Sequence, residues 1–99
     1  MRIVHVALQE GFEHDTVVVR IAGREVYRGT DVTSQLPVGF ADAVEVESAS
    51  EALTVTVEVP NRNLSQSYGV EGDVPVYLGV YLEEGKLRHR RSGEPFAYL

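Results

Sequence analysis

The stretch Leu53-Thr54-Val55-Thr56-Val57-Glu58-Val59 alternates apolar and polar residues without a single exception. A period of two is typical of a β-strand with one buried face and one face in water. The same alternation recurs, less regularly, in residues 17–21, 43–47 and 76–82. No segment shows the apolar period of a helix. The sequence therefore predicts a small antiparallel β domain.

Working outward from this stretch, we find strand candidates along the whole chain. They span residues 2–8, 16–22, 25–28, 43–47, 53–59, 66–70, 76–82 and 87–91. Short strands about ten residues apart, with glycine turns such as Gly23-Arg24, are typical of sandwiches and barrels. We expect an all-β, antiparallel sandwich of the immunoglobulin-like, C2-like or jelly-roll type. It has about seven to eight short strands, and residues 1–99 form a single domain.

Composition and charge exclude several classes of function. A net charge of −6 argues against nucleic acid as a partner, because a duplex-binding protein needs a cationic surface. The basic run 86–91 is better explained as a charged edge strand that resists aggregation. The chain has no cysteine, which excludes disulfides and thiolate chemistry.

The apolar segments are short. None reaches the length of a membrane span, so we expect no membrane partner. The apolar segment 3–8 is too short for the core of a signal peptide. We therefore expect a cytoplasmic protein as the chain stands, or a secreted one if a signal peptide has been removed.

Acidic and amide side chains cluster in loops that we expect at one end of the sandwich. If each strand reverses direction, loops 9–15, 29–42 and 60–65 all fall at the same end. This end carries oxygen-bearing side chains together with one histidine: Glu10, Glu13, His14, Asp15, Asp31, Asp42, Asn61 and Asn63. Glu83 and Glu84 join them if the strand 66–70 is real.

Calcium is the cofactor that such an end would suit. Calcium takes six to eight oxygen ligands in flexible geometry, and C2-type sandwiches bind it through convergent loops. The candidate ligands are Glu13, Asp15, Asp31 and Asp42. The alternative is that an acidic protein has acidic, solvated loops.

Two tyrosines form a second candidate site. Tyr77, Gly79 and Tyr81 lie on the outer face of the strand whose other face is apolar. With a gap above the glycine, the two rings are spaced to stack a carbohydrate, a peptide or a partner's side chain. The alternative is that Arg88 or Arg90 stacks on the rings.

The C-terminal tail is apolar, whereas disordered termini are usually polar. Phe96, Tyr98 and Leu99 either pack back on their own sheet or contact another subunit. We predict a homodimer in which the tail or the eighth strand contacts the second copy, since twofold pairs are the commonest closed assembly.

Catalysis has little support. His5, His14 and His89 lie on separate segments without metal-ligand spacing, and no nucleophile or phosphate-binding motif is present. His14 has Glu13 and Asp15 beside it to raise its pKa. The sequence favours a non-catalytic binding or assembly module acting through its loops, its tyrosine face or its tail. The alternatives are a calcium-dependent, for example carbohydrate-binding, sandwich and, third, a small hydrolase.

Overall fold

The computed structural model describes residues 2–35, 38–49, 52–71 and 75–96. Eight strands follow one another: β1 Arg2–Leu8, β2 Asp15–Ile21, β3 Arg24–Val32, β4 Asp42–Ser48, β5 Ala52–Val59, β6 Leu64–Glu71, β7 Val76–Glu83 and β8 Lys86–Ser92. They form two four-stranded sheets with the orders β4-β1-β7-β8 and β3-β2-β5-β6. The two sheets pack against each other, which confirms the predicted all-β sandwich.

The apolar faces of both sheets make the core. In β5, Leu53, Val55, Val57 and Val59 are buried, and the residues between them are half-buried or exposed. The apolar face of the stretch 53–59 is therefore the buried one, as the sequence predicts. The even positions of β7 are buried in the same way, in one core with buried side chains of β1, from the same sheet, and of β2, from the other: Val4, Val6, Leu8, Val17 and Val19.

One pair of strands is parallel. β1 and β7 run in the same direction, with Val4 opposite Val76, whereas the other strand pairs are antiparallel. A parallel neighbour requires a long connection between the two strands. Here the five intervening strands, most of them in the other sheet, supply it.

β3 is longer than the sequence predicts, which corrects the position of one candidate ligand. It extends to Val32, so that Asp31 belongs to a strand and not to a loop. The pairing of β2 with β3 shifts register twice, between Asp15 and Val17 and between Val19 and Arg20. Each shift marks a β-bulge, and a bulge breaks the period-two pattern from which a strand is recognised.

The connections alternate between the two ends of the sandwich as predicted. Residues 9–14, 33–41, 60–63 and 84–85 join strands at one end, which we call the loop end. The connection 60–63 contains a short 3-10 helix, Pro60–Arg62. Among the described residues, no helix is long and apolar enough to cross a membrane.

Candidate functional site

An open cleft lies at the loop end, between the edge strands β3 and β4. Its volume is about 510 Å³. Its polar lining comes from both sheets and from the connections 9–14 and 33–41: His14, Tyr27, Asp31, Thr33 and Asp42. No lysine or arginine belongs to the described lining, so the cleft carries anionic groups and one histidine.

The bulge in β3 orients the first carboxylate of the cleft. Asp15 pairs with Val32 and Val17 with Gly29, so β3 carries one extra residue in this segment. Bulges redirect side chains and are enriched beside functional sites. Asp31 lies in the bulged segment, and its Oδ1 is 2.6 Å from His14 Nδ1.

His14 has a constrained backbone. Its φ of +50° lies in the left-handed region, which non-glycine residues seldom adopt. The His14 N–H donates to Thr33 Oγ1 at 3.0 Å, which fixes the loop on the end of β3. The imidazole and the Asp31 carboxylate are each about three-quarters exposed, at 73% and 75%. The pair is therefore held by local geometry and remains accessible to a ligand.

The second carboxylate of the cleft bonds to a tyrosine of the other sheet. Tyr27 Oη donates to Asp42 Oδ2 at 2.9 Å, which links β3 to β4. A Cβ on Gly29 would lie 2.6 Å from Tyr27 Oη, so any side chain at position 29 would displace this hydroxyl. Burial, together with the Asp42 carboxylate, raises the pKa of Tyr27 to about 12. The hydroxyl therefore stays protonated and donates to Asp42 at every physiological pH.

The charge of the cleft depends on His14. The hydrogen bond to Asp31 and the charge of that carboxylate raise the pKa of His14 above its ordinary value of 6.5. Glu13 and Asp15, which the sequence suggested for this role, make smaller contributions. Below the raised pKa the imidazolium neutralises Asp31, and above it the negative charge of Asp31 is uncompensated.

Asp15 does not line the cleft and is instead buried beside Asn61 and Arg62. It is only 1% exposed, and its Oδ1 accepts from Arg62 Nε at 2.7 Å and from Asn61 Nδ2 at 2.7 Å. Its Oδ2 accepts from Arg62 Nη2 at 3.0 Å and from the Glu13 N–H at 2.9 Å. Burial alone would raise the pKa of Asp15, but these donors outweigh it and hold the pKa below 3.8.

The four candidate calcium ligands therefore do not converge. Asp31 and Asp42 line the cleft, Asp15 is bound to Arg62, and the Glu13 side chain is exposed. Among residues 2–35, 38–49, 52–71 and 75–96, no three histidine or acidic side chains are placed to hold a metal ion. Calcium binding stays a prediction, with two of its four ligands at one cleft.

The tyrosine face is occupied by side chains of the protein itself. The Arg90 guanidinium lies 4.3 Å from the centroid of the Tyr81 ring, and Arg90 Nη2 bonds to Glu10 Oε1 at 2.9 Å. The His5 and Tyr77 rings contact each other with centroids 5.4 Å apart. Stacking by an arginine, the alternative to ligand binding, is therefore found at Tyr81.

The expected gap above Gly79 is filled, which corrects that expectation. A Cβ on Gly79 would lie 2.6 Å from the Gln9 side chain, and Gln9 is buried. The reason is that the chain continues along β7 after β1 ends, with the Gln9 N–H donating to the Val80 carbonyl at 2.8 Å. The glycine accommodates a side chain of its own chain.

The tail is described in part. Phe96 is half-buried, whereas Tyr98 and Leu99 lie outside the described residues. The prediction of a tail interface therefore stays a prediction.

Sequence reasoning missed Tyr27 as a residue of the cleft. Its hydroxyl partner, Asp42, is 15 residues away in the chain and belongs to the other sheet, so no local motif joins them. The available signal was Gly29, because a glycine inside a strand often marks a bulge or a close contact.

Comparison of the chain with protein-family models, with curated protein sequences and with solved structures finds no match in any of the three. The chemistry of the cleft must therefore be read from its own groups. The His14–Asp31 pair has no hydroxyl or thiol nucleophile bonded to the imidazole among the described residues. The pair is equipped to hold and release a proton and to attract a cation.

Proposed function

We propose that this protein is a non-catalytic binding module that recognises a cationic group in the cleft between β3 and β4. The observation that carries the proposal is that Asp31 and Asp42 line one open cleft with no lysine or arginine in its described lining. An amine or guanidinium supplies the positive charge and several donors that two carboxylates accept.

The neighbours of the two carboxylates support this assignment. Tyr27 and His14 each hold one carboxylate by a single hydrogen bond, to Asp42 Oδ2 and Asp31 Oδ1 respectively. Asp42 Oδ1 accepts from the Ala43 N–H at 2.8 Å, and carboxylate oxygens have further lone pairs. The carboxylates are thus oriented before a ligand arrives, and this lowers the entropic cost of binding.

Binding of an arginine peptide is the expected result that tests the proposal. The probe is acetyl-Gly-Arg-Gly-amide, and the control is the same peptide with citrulline, which has nearly the same shape and no charge. We expect the arginine peptide alone to shift the amide resonances of His14, Tyr27, Asp31 and Asp42 in a ¹⁵N-correlation titration. Equal shifts with both peptides would contradict recognition of charge.

Two variants with the same net charge show whether the site is the cleft. Asp31→Asn with Asp42→Asn should abolish the shifts, whereas Glu71→Gln with Glu94→Gln, at exposed positions away from the cleft, should keep them.

The affinity for the arginine peptide should be higher at about pH 8.5 than at about pH 6, because deprotonation of His14 removes the positive charge beside Asp31.

Calcium dependence is a second candidate, favoured by the same two carboxylates. A cation that binds only the folded state of a protein raises the unfolding midpoint of that protein by mass action. At about one hundred times the dissociation constant, the gain is roughly 2.7 kcal/mol. We expect millimolar calcium, and not magnesium, to raise the melting temperature, and Asp31→Asn with Asp42→Asn to abolish the rise. An unchanged melting temperature would mean that the loop end is a solvated surface.

A further inference from the structure

We infer that the free edge of β6 pairs with β6 of a second copy of this chain in an antiparallel, twofold manner. The inference is independent of the cleft, which lies between β3 and β4 on the other open side of the sandwich. β6 differs from the other three edge strands in charge and regularity, and some of its backbone groups point to the free edge.

Three of the four edge strands carry features that discourage pairing with another chain. β8 is basic, with Lys86, Arg88, Arg90 and Arg91. β4 is acidic, with Asp42, Glu45 and Glu47. β3 shifts register twice along its pairing with β2. Charges and bulges are the devices by which proteins protect sheet edges.

β6 has none of these features over most of its length. It pairs with β5 from Leu64 to Glu71 without a register shift. It contains no proline, and its only charged residue is Glu71 at its end. A long, regular and uncharged edge presents its backbone groups to another strand.

The backbone groups that point to this free edge can be identified. The Thr54 carbonyl accepts from the Ala22 N–H at 2.9 Å, so the backbone groups of Thr54 face β2. Because these groups alternate in direction along a strand, those of Val55 and Val57 face β6. Their partners Tyr68 and Gln66 therefore face β5, and Ser65, Ser67 and Gly69 face the free edge.

A contact across the sandwich agrees with this assignment. Arg91 Nη2 of β8 donates to the Gly69 carbonyl at 2.9 Å, so this carbonyl points away from β5. A carbonyl oxygen has two lone pairs, so this contact leaves the Gly69 carbonyl able to accept from a further strand.

β6 of a second copy is a better partner for this edge than an edge strand that carries charges. A twofold axis at Ser67 sets Ser67 opposite Ser67 of the second copy, Ser65 opposite its Gly69 and Gly69 opposite its Ser65. These three facing pairs give about six backbone hydrogen bonds. The same axis sets Gln66 opposite Tyr68 and Leu64 opposite Val70, so polar and apolar faces match and no like charges oppose each other.

The side chains at the free edge permit close approach. The outer face of β6 carries Ser65, Ser67 and Gly69, which are small and exposed. The whole chain carries a net charge of −6, so two copies repel each other at long range, and salt screens this repulsion. Pairing through β6 should therefore strengthen as the ionic strength rises, whereas pairing of acidic β4 with basic β8 should weaken.

Sedimentation equilibrium of the full chain tests the inference. We expect a reversible shift from 10.9 kDa to twice that mass at high micromolar concentration, with tighter association in 500 mM than in 50 mM sodium chloride. A chain that stays monomeric at 1 mM in both buffers would overturn the inference. Association that weakens with salt would overturn it in favour of β4–β8 contacts.

Variants at Ser67 locate the interface. Ser67→Pro removes an N–H that does not bond to β5, a position where an edge strand tolerates proline, so it should abolish dimerisation and leave the monomer folded. Ser67→Ala keeps the N–H and should still dimerise. Ser67→Lys sets two lysines opposite each other at the axis and should raise the dimer dissociation constant more than about tenfold.

A matched control separates the edge from the face of the sheet. Thr56→Lys adds the same charge on the same outer face, on the interior strand β5, opposite Ser67 in the pairing register. It should leave the dimer dissociation constant within about twofold of the wild type. If circular dichroism shows that Ser67→Pro is unfolded, the comparison of Ser67→Lys with Thr56→Lys by itself shows whether the free edge of β6 forms the interface. A dimer that survives Ser67→Lys would overturn the inference.

Discussion

Replacing Gly11 with alanine should lower the free energy of unfolding by about 3–5 kcal/mol, the largest effect that we expect from one methyl group in this protein. A Cβ at this position would lie 2.1 Å from the Leu82 carbonyl oxygen, a backbone atom that moves aside less readily than the end of a side chain. The φ of Gly11, +94°, adds strain for any residue with a side chain. Chemical unfolding in urea, with unchanged slope, measures the effect.

Gly23 provides the matched control. Its φ of +80° is similar, but nothing lies within 4 Å of a Cβ built there. Gly23→Ala should therefore cost only the backbone strain, about 1 kcal/mol. Equal losses for the two variants would show that the Leu82 backbone yields and that the close approach at Gly11 carries no stability.

Replacing Asp15 with asparagine should cost about 2–3 kcal/mol. All four of its recorded hydrogen bonds come from donors, so an amide nitrogen at either position faces N–H groups and leaves them unsatisfied. The cost stays below that of a fully buried pair because Arg62 is 34% exposed. Glu25→Gln, which breaks the exposed pair with Arg28, is the control and should leave stability nearly unchanged.

The pH dependence of this effect has a defined sign. The pKa of Asp15 is lower in the folded state than its ordinary 3.8, so the carboxylate contributes stability above that pH. The contribution disappears as the pH falls through the folded value. The difference in stability between wild type and Asp15→Asn should therefore narrow as the pH falls below about 4. A difference that widens in acid would contradict the role assigned to the Arg62 contact.

The sequence predicts the sandwich because apolar residues recur at every second position in β5 and β7. In β5 each buried position is aliphatic, and in β7 every buried position except Gly79 is aliphatic, so a period of two specifies the apolar face without knowledge of any neighbour. The same reasoning fails at β3, where bulges between Glu25 and Tyr27 and between Gly29 and Val32 interrupt the period, and the sequence predicted only residues 25–28 of this strand. At β6 the pattern is weak because Gln66 occupies an inner position at the open edge of the sandwich.

The location of the candidate site was predictable from the sequence, but the hydrogen-bonded pairs of side chains at the loop end were not. Alternation of strand direction brought Asp31 and Asp42 to the loop end, and the structure has both there. The partners were not predictable, since Asp15 pairs with Arg62 across 47 residues and Asp42 with Tyr27 across two sheets. Sequence assigns charges to an end of the molecule, whereas side-chain packing decides which of them are neutralised.

The parallel pair of β1 with β7 has a consequence for biosynthesis. β1 lies between β4 and β7 in its sheet, so one side of β1 is covered only when Val76–Glu83 has been synthesised. The sheet β3-β2-β5-β6, in contrast, is complete once Glu71 has emerged. Pairing between segments distant in sequence is slow, because the loop must close before contacts reward it. During synthesis, the sheet of β2, β3, β5 and β6 should thus acquire protection from proteolysis first, and β1 should remain a protease-sensitive strand until Val76–Glu83 has emerged from the ribosome and paired with it.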